Sequence, residues 1–259
     1  MTILDKIIDK NREALEVRKK AIPEAILLEK ATRMPPVKNF AAAVSRKDRF
    51  NIIAELKKAS PSKGLIREDF VPEMLCMELE RNGAAALSIL TEEFFFLGSP
   101  VYLQKVAKLV KIPVLRKDFI FDPYQIHEAR ALGADAVLLI AAALDEKTFN
   151  SLYQTAKTVG LHVLAEIHNR EELERTIRCG AKIIGINCRD LKTFQTDLGA
   201  TEELLANIPD DRIKVAESGI RNHHDIVRLS GCGADAFLIG ETLMRAASPG
   251  AELKKMLEG

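Results

Sequence analysis

Eight short apolar runs punctuate the chain. Four share an opening, Gly-Ala leading straight into the run: "NGAAALSIL" (82–90), "LGADAVLLI" (132–140), "CGAKIIGIN" (179–187) and "CGADAFLIG" (232–240). One junction explains all four: a helix ends, glycine takes the left-handed position after its cap, and a buried strand begins. Between them lie "FNIIAEL" (50–56), "IPVLRKDF" (112–119), "LHVLAEI" (161–167) and "IKVAESG" (213–219). Most of these runs are continuously apolar rather than alternating, as expected of strands covered on both faces.

The segments between them carry the other period. "PEMLCMELERN" (72–82), "DPYQIHEARAL" (122–132) and "NREELERTIRC" (169–179) place apolar residues at three-and-four spacing, the mark of amphipathic helices. Strands are expected to start near Ile52, Ala86, Val114, Ala136, His162, Ile183, Lys214 and Ala236. Successive starts are roughly 20–35 residues apart, one βα unit each. Eight such units predict an α/β fold, a single (β/α)8 TIM barrel, over 47–259; an open doubly wound sheet is the alternative. Residues 1–46 read as an N-terminal helical extension packed on the barrel, broken near "RMPPVKNF" (33–40).

Composition narrows the function. Among 259 residues, 47% are hydrophobic, enough for a large core, and the net charge is only +1. That balance argues against a nucleic-acid surface or a polybasic membrane patch, so any anion site must be local. Cys76, Cys179, Cys188 and Cys232 show no CxxC spacing and read as reduced thiols of a cytoplasmic protein. The charged start, "MTILDKIIDKNREALEVRKK", lacks the apolar region of a signal peptide, and no apolar run is long enough to span a membrane.

Barrel enzymes place their chemistry at the C-terminal ends of the strands. Seven of the eight runs finish with an ionisable residue there; "AVLLIAAAL" is the exception. Side chains alternate between interior and helix layer, so Glu55 and Lys57 share a direction, as do Asn187 and Arg189, while Lys117 follows Leu115 and Phe119. A ring of charge around a central mouth follows from Glu55, Lys57, Lys117, Glu166 and Glu217 taken together. The loops "ESGI" (217–220) and "IGETLMR" (239–245) each offer a glycine leading into a helix start, the common form of a barrel phosphate site. The adjacent His223 and His224 lack partners at metal-ligand spacing, and His127, His162 and His168 are scattered; none is read as functional.

Together these motifs resemble the indole-3-glycerol-phosphate synthase family. "IIAELKKASPSKG" (52–64) matches the family signature, and "LSILTEEFFFLGS" (87–99), "VLRKDFIFDPYQI" (114–126), "LAEIHN" (164–169), "GINCRDL" (185–191), "VAESGI" (215–220) and "FLIGETLMR" (237–245) follow in order. The resemblance implies a carbon-carbon lyase of tryptophan biosynthesis. It would convert 1-(2-carboxyphenylamino)-1-deoxyribulose 5-phosphate, with loss of CO₂ and water, to indole-3-glycerol phosphate. It implies a phosphorylated small-molecule substrate and no cofactor or metal; with the charge balance arguing against nucleic-acid and membrane partners, a monomer is expected.

It also implies roles. Lys117 is the general acid that protonates the ketone oxygen during ring closure, and Glu166 the general base. Lys57 pairs with the substrate carboxylate and serves as a second acid. Glu55 and Glu217 orient the lysines and bond sugar hydroxyls, and Asn187 fixes a hydroxyl or the amine. Ser60 and Arg189 bind an anionic or polar group, and Phe96 and Phe119 hold the aromatic ring. Ser218, Gly219, Gly240 and Glu241 receive the phosphate, although an acid at 241 is an awkward neighbour for it. A lysine near other cations should have a lowered pKa, with Lys57 as the cation expected to act on Lys117. A sugar-phosphate isomerase, a Schiff-base aldolase or an inactive phosphate-binding barrel are the competing readings.

Overall fold

The Gly-Ala junctions form as their repetition implied. In the computed structural model, which describes residues 2–187 and 198–259, Gly83, Gly133, Gly180 and Gly233 have φ of 97°, 95°, 80° and 96°. The N–H of the alanine behind each bonds back to a carbonyl in the last helical turn, of Leu79, Ala129, Thr176 and Leu229, at 3.0 to 3.1 Å. These are Schellman-type helix ends, which satisfy carbonyls a helix leaves open and aim the chain into the next strand. A fifth such end, at Gly160 (φ 80°), lacks the alanine that marks the others.

Eight parallel strands follow: β1 (Asn51–Leu56), β2 (Ala86–Leu90), β3 (Val114–Lys117), β4 (Ala136–Ile140), β5 (His162–Ile167), β6 (Ile183–Asn187), β7 (Ile213–Glu217) and β8 (Ala236–Ile239). Each pairs with its neighbours in sequence, and β8 pairs with β1, Asn51 opposite Ala236, so the sheet closes into a barrel. Six of the eight strands start on the expected residue; β1 and β7 start one residue earlier.

The helices α1 (Ile3–Ala21), α2 (Glu24–Thr32) and α3 (Phe40–Ala43) precede the barrel. Those on its outside are α4 (Pro72–Arg81), α5 (Pro100–Leu109), α6 (Pro123–Leu132), α7 (Glu146–Thr158), α8 (Arg170–Arg178), α9 (Leu198–Asn207), α10 (His223–Gly231), α11 (Glu241–Arg245) and α12 (Pro249–Glu258). Among the described residues no helix is long and apolar enough to cross a membrane.

Strand alternation sorts the side chains into two cores. Ile52, Ala54, Leu56, Leu87, Ile89 and Val137 join the layer between sheet and helices. Ile53, Leu115, Leu138, Leu164, Ile183, Val215 and Leu238 fill the barrel itself. Full burial of each of these larger side chains contributes roughly 1.5–3 kcal/mol. Phe40 and Val44, both fully buried, join this interior group, and Phe40 lies 6.5 Å from the ring of His162 at the start of β5, so α3 closes the barrel floor. One step up from the apolar layer, β1, β3, β5 and β7 carry Glu55, Lys117, Glu166 and Glu217, and at the same step β6 and the end of β8 have the glycines Gly185 and Gly240.

Arg116, the residue before Lys117, has the opposite parity and points outward. It is completely buried in the helix layer, where its guanidinium meets Glu128 at 2.7 Å and Asp118 at 2.9 Å and donates to Thr91 Oγ1 and the Gln125 carbonyl. Burial alone would lower its pKa, but the two carboxylates outweigh that and raise it. The polar end of β2 also turns from the mouth: Glu92 accepts the backbone N–H groups of Phe94, Phe95 and Phe96 and fixes that loop.

Candidate active site

The C-terminal mouth of the barrel opens into a cavity of about 630 Å³. Helix α1 reaches across to it, so that Ile3, Leu4 and Ile7 form part of its wall. The helix is tethered there by Lys19, 2.6 Å from Asp122, and by the Tyr124 hydroxyl, which donates to the carbonyls of Arg18 and Ile22. The sequence reading gave these N-terminal residues no part in the site. Their apolar positions look like any helix face until the fold lays them over the mouth.

Every expected site residue within the described chain lines this cavity: Glu55, Lys57 and Ser60 from β1 and its loop; Phe96, Lys117 and Phe119 from the next two units; Glu166, Asn187, Glu217, Ser218 and Gly219 across from them; and Gly240 and Glu241 beside β1. Arg189, and Cys188 beside it, lie outside the described residues.

The charges pair both within one strand end and across strands. Lys57 Nζ meets Glu55 Oε2 at 2.6 Å. Lys117 Nζ lies 3.1 Å from Glu166 Oε2 and 3.5 Å from Glu217 Oε2. The expectation that Lys117 has a lowered pKa is therefore wrong. Burial pulls it down, but Glu166, Glu217 and Glu55 pull harder and raise it above the ordinary lysine value. Lys57, the cation expected to lower it, is drawn onto Glu55 instead.

The two acids beside Lys117 diverge. Glu166 is buried, which would favour its neutral form. Lys117, His168 and a hydrogen bond from Asn187 Nδ2 (3.2 Å) reverse this and hold it below the usual range. Glu217 is equally buried, and neither of its oxygens has a hydrogen-bond partner among the described residues. Burial first, then the charges of Glu166 and Glu55, push it up to about 8 against the pull of Lys117. At neutral pH one neutral and one ionised acid therefore share Lys117.

Two glycines make room for this arrangement. A side-chain carbon on Gly240 would strike the Glu55 carboxylate, and one on Gly185 would strike Glu217. Gly240 was expected only to let a backbone approach a phosphate, and Gly185 was not read as a site residue. A glycine inside an apolar run carries no sign of which carboxylate crosses it.

Beyond β7, Ser218 and Gly219 both have positive φ, 63° and 78°. A non-glycine residue in that region stores strain of order 1–3 kcal/mol, and such strain clusters at sites of function. Ser218 Oγ donates to Asn187 Oδ1 at 2.8 Å, and Thr242 Oγ1 donates to the Ile220 carbonyl at 2.8 Å, tying the loops after β7 and β8 together. The Glu241 carboxylate turns to Arg245 (3.0 Å) and Lys63 (4.0 Å), which removes the awkwardness of an acid at that position. The rings of Phe96 and Phe119 stand 6.0 Å apart at the rim, and the hydroxyl of Ser60 is buried without a partner among the described residues.

His168, set aside in the sequence as scattered, belongs here: its Nε2 lies 3.4 Å from Glu166 Oε1. His223 instead bonds the Met256 carbonyl at 2.9 Å. Among the described residues no group of three or more His, Cys, Asp or Glu is arranged to hold a metal ion.

The family model for indole-3-glycerol phosphate synthase matches residues 4–256. The chain belongs to that family. It is 48% identical over 257 residues to an indole-3-glycerol phosphate synthase of Alkaliphilus metalliredigens (strain QYMF), covering 99% of this chain and 98% of the relative. Solved structures of other barrels share the fold at low identity. A 3-hexulose-6-phosphate synthase from Salmonella typhimurium has a TM-score of 0.60 at 14% identity over 80% of this chain and 96% of its own. A structure named KGPDC from Streptococcus mutans has a TM-score of 0.61 at 11% identity over 80% and 95%. The family is a decarboxylating lyase family of tryptophan biosynthesis.

Proposed function

We propose that this chamber closes the indole ring of 1-(2-carboxyphenylamino)-1-deoxyribulose 5-phosphate, with Lys117 as general acid and Glu166 as general base. The phosphate rests on the loops of Ser218–Gly219 and Gly240–Glu241, and the aromatic ring lies at Phe96 and Phe119. Lys57 takes the substrate carboxylate, and Ser60 and Arg189 hold polar or anionic groups nearby. As the ring carbon bearing the carboxylate bonds to the ketone carbon, Lys117 delivers its proton to the ketone oxygen. Departure of CO₂ restores the aromatic ring and leaves a hydroxyl on the new one. Glu166 then takes a proton from the new ring while Lys57 gives one to the leaving hydroxyl, and water departs. Glu55 and Glu217 hold the two lysines, and Asn187 holds Glu166 and Ser218 while offering its amide to the substrate.

The observation that carries this reading is the set of carboxylates around Lys117. A Schiff-base lysine must be neutral to attack a carbonyl. Lys117 is held protonated, the state a proton donor needs, and this favours the synthase over the aldolase reading. Desolvation by the bound substrate and withdrawal of Glu166 then make the proton easier to give.

Residues 1–46 are read as an extension of the same unit, since α1 walls the chamber and α3 closes the floor. The chain is read as a monomer, and the described cysteines Cys76, Cys179 and Cys232 are free, which supports a cytoplasmic location. The test is direct. The purified chain, given the carboxyphenylamino-deoxyribulose phosphate, should generate indole fluorescence and release CO₂; a folded chain that does neither refutes the assignment. Borohydride added during turnover should trap no covalent adduct.

A further inference from the structure

The residues proposed for catalysis leave unused a half-buried group beside the chamber, the ring of His168. It follows β5 and sits between two carboxylates. On one edge Nδ1 lies 3.2 Å from Glu172 Oε2; on the other Nε2 lies 3.4 Å from Glu166 Oε1. Glu172 is itself locked. It accepts the backbone N–H of His168 at 2.8 Å and the Asn169 side-chain amide at 2.8 Å, and its own N–H donates to Asn169 Oδ1 at 2.9 Å, the reciprocal cap of α8. A carboxylate fixed in the first turn of a helix gains from the helix dipole and stays charged. Among the described residues, Glu166, Glu172 and Glu217 are the charged or titratable groups facing the ring. With an acid at each edge, the doubly protonated imidazolium is the form that satisfies both nitrogens. Burial lowers the His168 pKa, but Glu172 and Glu166 outweigh it and raise it. The Nε2 atom makes no complete hydrogen bond among the described residues, and such contacts commonly tighten only once substrate is bound.

We propose that His168 is a positioning residue: its ring bridges Glu172 to Glu166 and gives the Glu166 carboxylate a second cation when Lys117 turns to the substrate. Without it, Glu166 would face the reaction as a buried acid whose counterion has just left. The proposal rests on Glu166 acting as the base.

The test is the pH profile of kcat for the full chain, measured by indole fluorescence, with His168→Gln, His168→Phe, Glu172→Gln and Glu166→Gln alongside wild type. The ring is charged throughout the acid range in which Glu166 becomes protonated, so losing the charge raises the pKa of Glu166. The acid limb should therefore move to higher pH by about one unit in His168→Gln, cutting kcat roughly 10-fold on that limb while KM changes little. His168→Gln keeps an N–H donor and should recover near-normal kcat on the alkaline side. His168→Phe should not, and Glu172→Gln should shift the limb in the same direction by less. If His168→Phe fails to fold, His168→Gln alone decides. An unmoved acid limb in His168→Gln overturns the proposal, whether or not thermal stability changes. Near-normal turnover by Glu166→Gln would overturn the base assignment and this proposal with it. An inactive Glu166→Gln beside a wild-type profile in the His168 variants would overturn this proposal alone.

Discussion

Replacing Glu217 by glutamine should make the empty protein more stable at alkaline pH, even though it removes a charge partner from Lys117. The reason lies in where the carboxyl sits. Its oxygens are buried and unbonded among the described residues, and Lys117 at 3.5 Å, with His168 farther off, compensates a charge there without outweighing burial. Its pKa rises from 4.5 to about 8 on folding. Above the unfolded value the native state holds a proton that the unfolded chain has lost, so stability falls as pH rises through this window and levels off above the folded value. Nearly three of the units separating the two values are crossed between about pH 5 and about pH 9; at about 1.4 kcal/mol per unit this is roughly 4 kcal/mol lost by wild type. Glutamine has nearly the same shape beside Gly185 and does not titrate. At roughly 2–4 °C per kcal/mol for a chain of this size, the melting temperature of the variant minus that of wild type should grow by roughly 8–16 °C between those two pH values. Calorimetry or circular dichroism at matched ionic strength measures it. A difference that stays flat with pH, or shrinks as pH rises, would show that Glu217 is ionised in the native protein and that the charge assignment around Lys117 is wrong.

Three further substitutions probe the same architecture. Lys117→Ala should lower kcat by about 10²–10⁴ with the fold intact, the usual value of one positioned proton donor; near-normal turnover removes the general-acid role. Gly240→Ala forces the Glu55 carboxylate off its place beside Lys57, so turnover should drop while the overpacking destabilises the protein by roughly 1–3 kcal/mol; turnover within two-fold of wild type, about 0.4 kcal/mol of barrier, would mean that Glu55 need not sit there. Arg116→Met leaves the buried Asp118 without its cation and takes one of two arginines from the buried Glu128, which keeps Arg18 at 3.3 Å, and should cost roughly 3–5 kcal/mol in urea unfolding; a loss below about 1 kcal/mol, the range of surface ion pairs, would mean the network is solvated.

Much of this protein was legible in its sequence. The Gly-Ala junctions, the continuous apolar runs and the helical spacing between them determined eight βα units. The two-residue alternation then fixed which strand-end side chains face the mouth: Glu55 and Lys57 inward, Arg116 outward. The family signature supplied their expected roles. These are local properties. A backbone conformation, a period or a motif is carried by neighbouring residues and needs no knowledge of what lies across the barrel.

What the tertiary structure alone decided is the charge state and the space. Lys117 is held protonated, Glu166 ionised and Glu217 neutral because side chains from β1, β3, β5 and β7 meet within a few ångströms. Gly185 and Gly240 matter because a carboxylate from another strand occupies the volume their side chains would fill. His168 joins the site only through its distance to Glu166, and α1 only because the fold lays it over the mouth. Coulomb energy and steric exclusion depend on separation in space, and residues far apart along a chain acquire a separation only when the barrel closes.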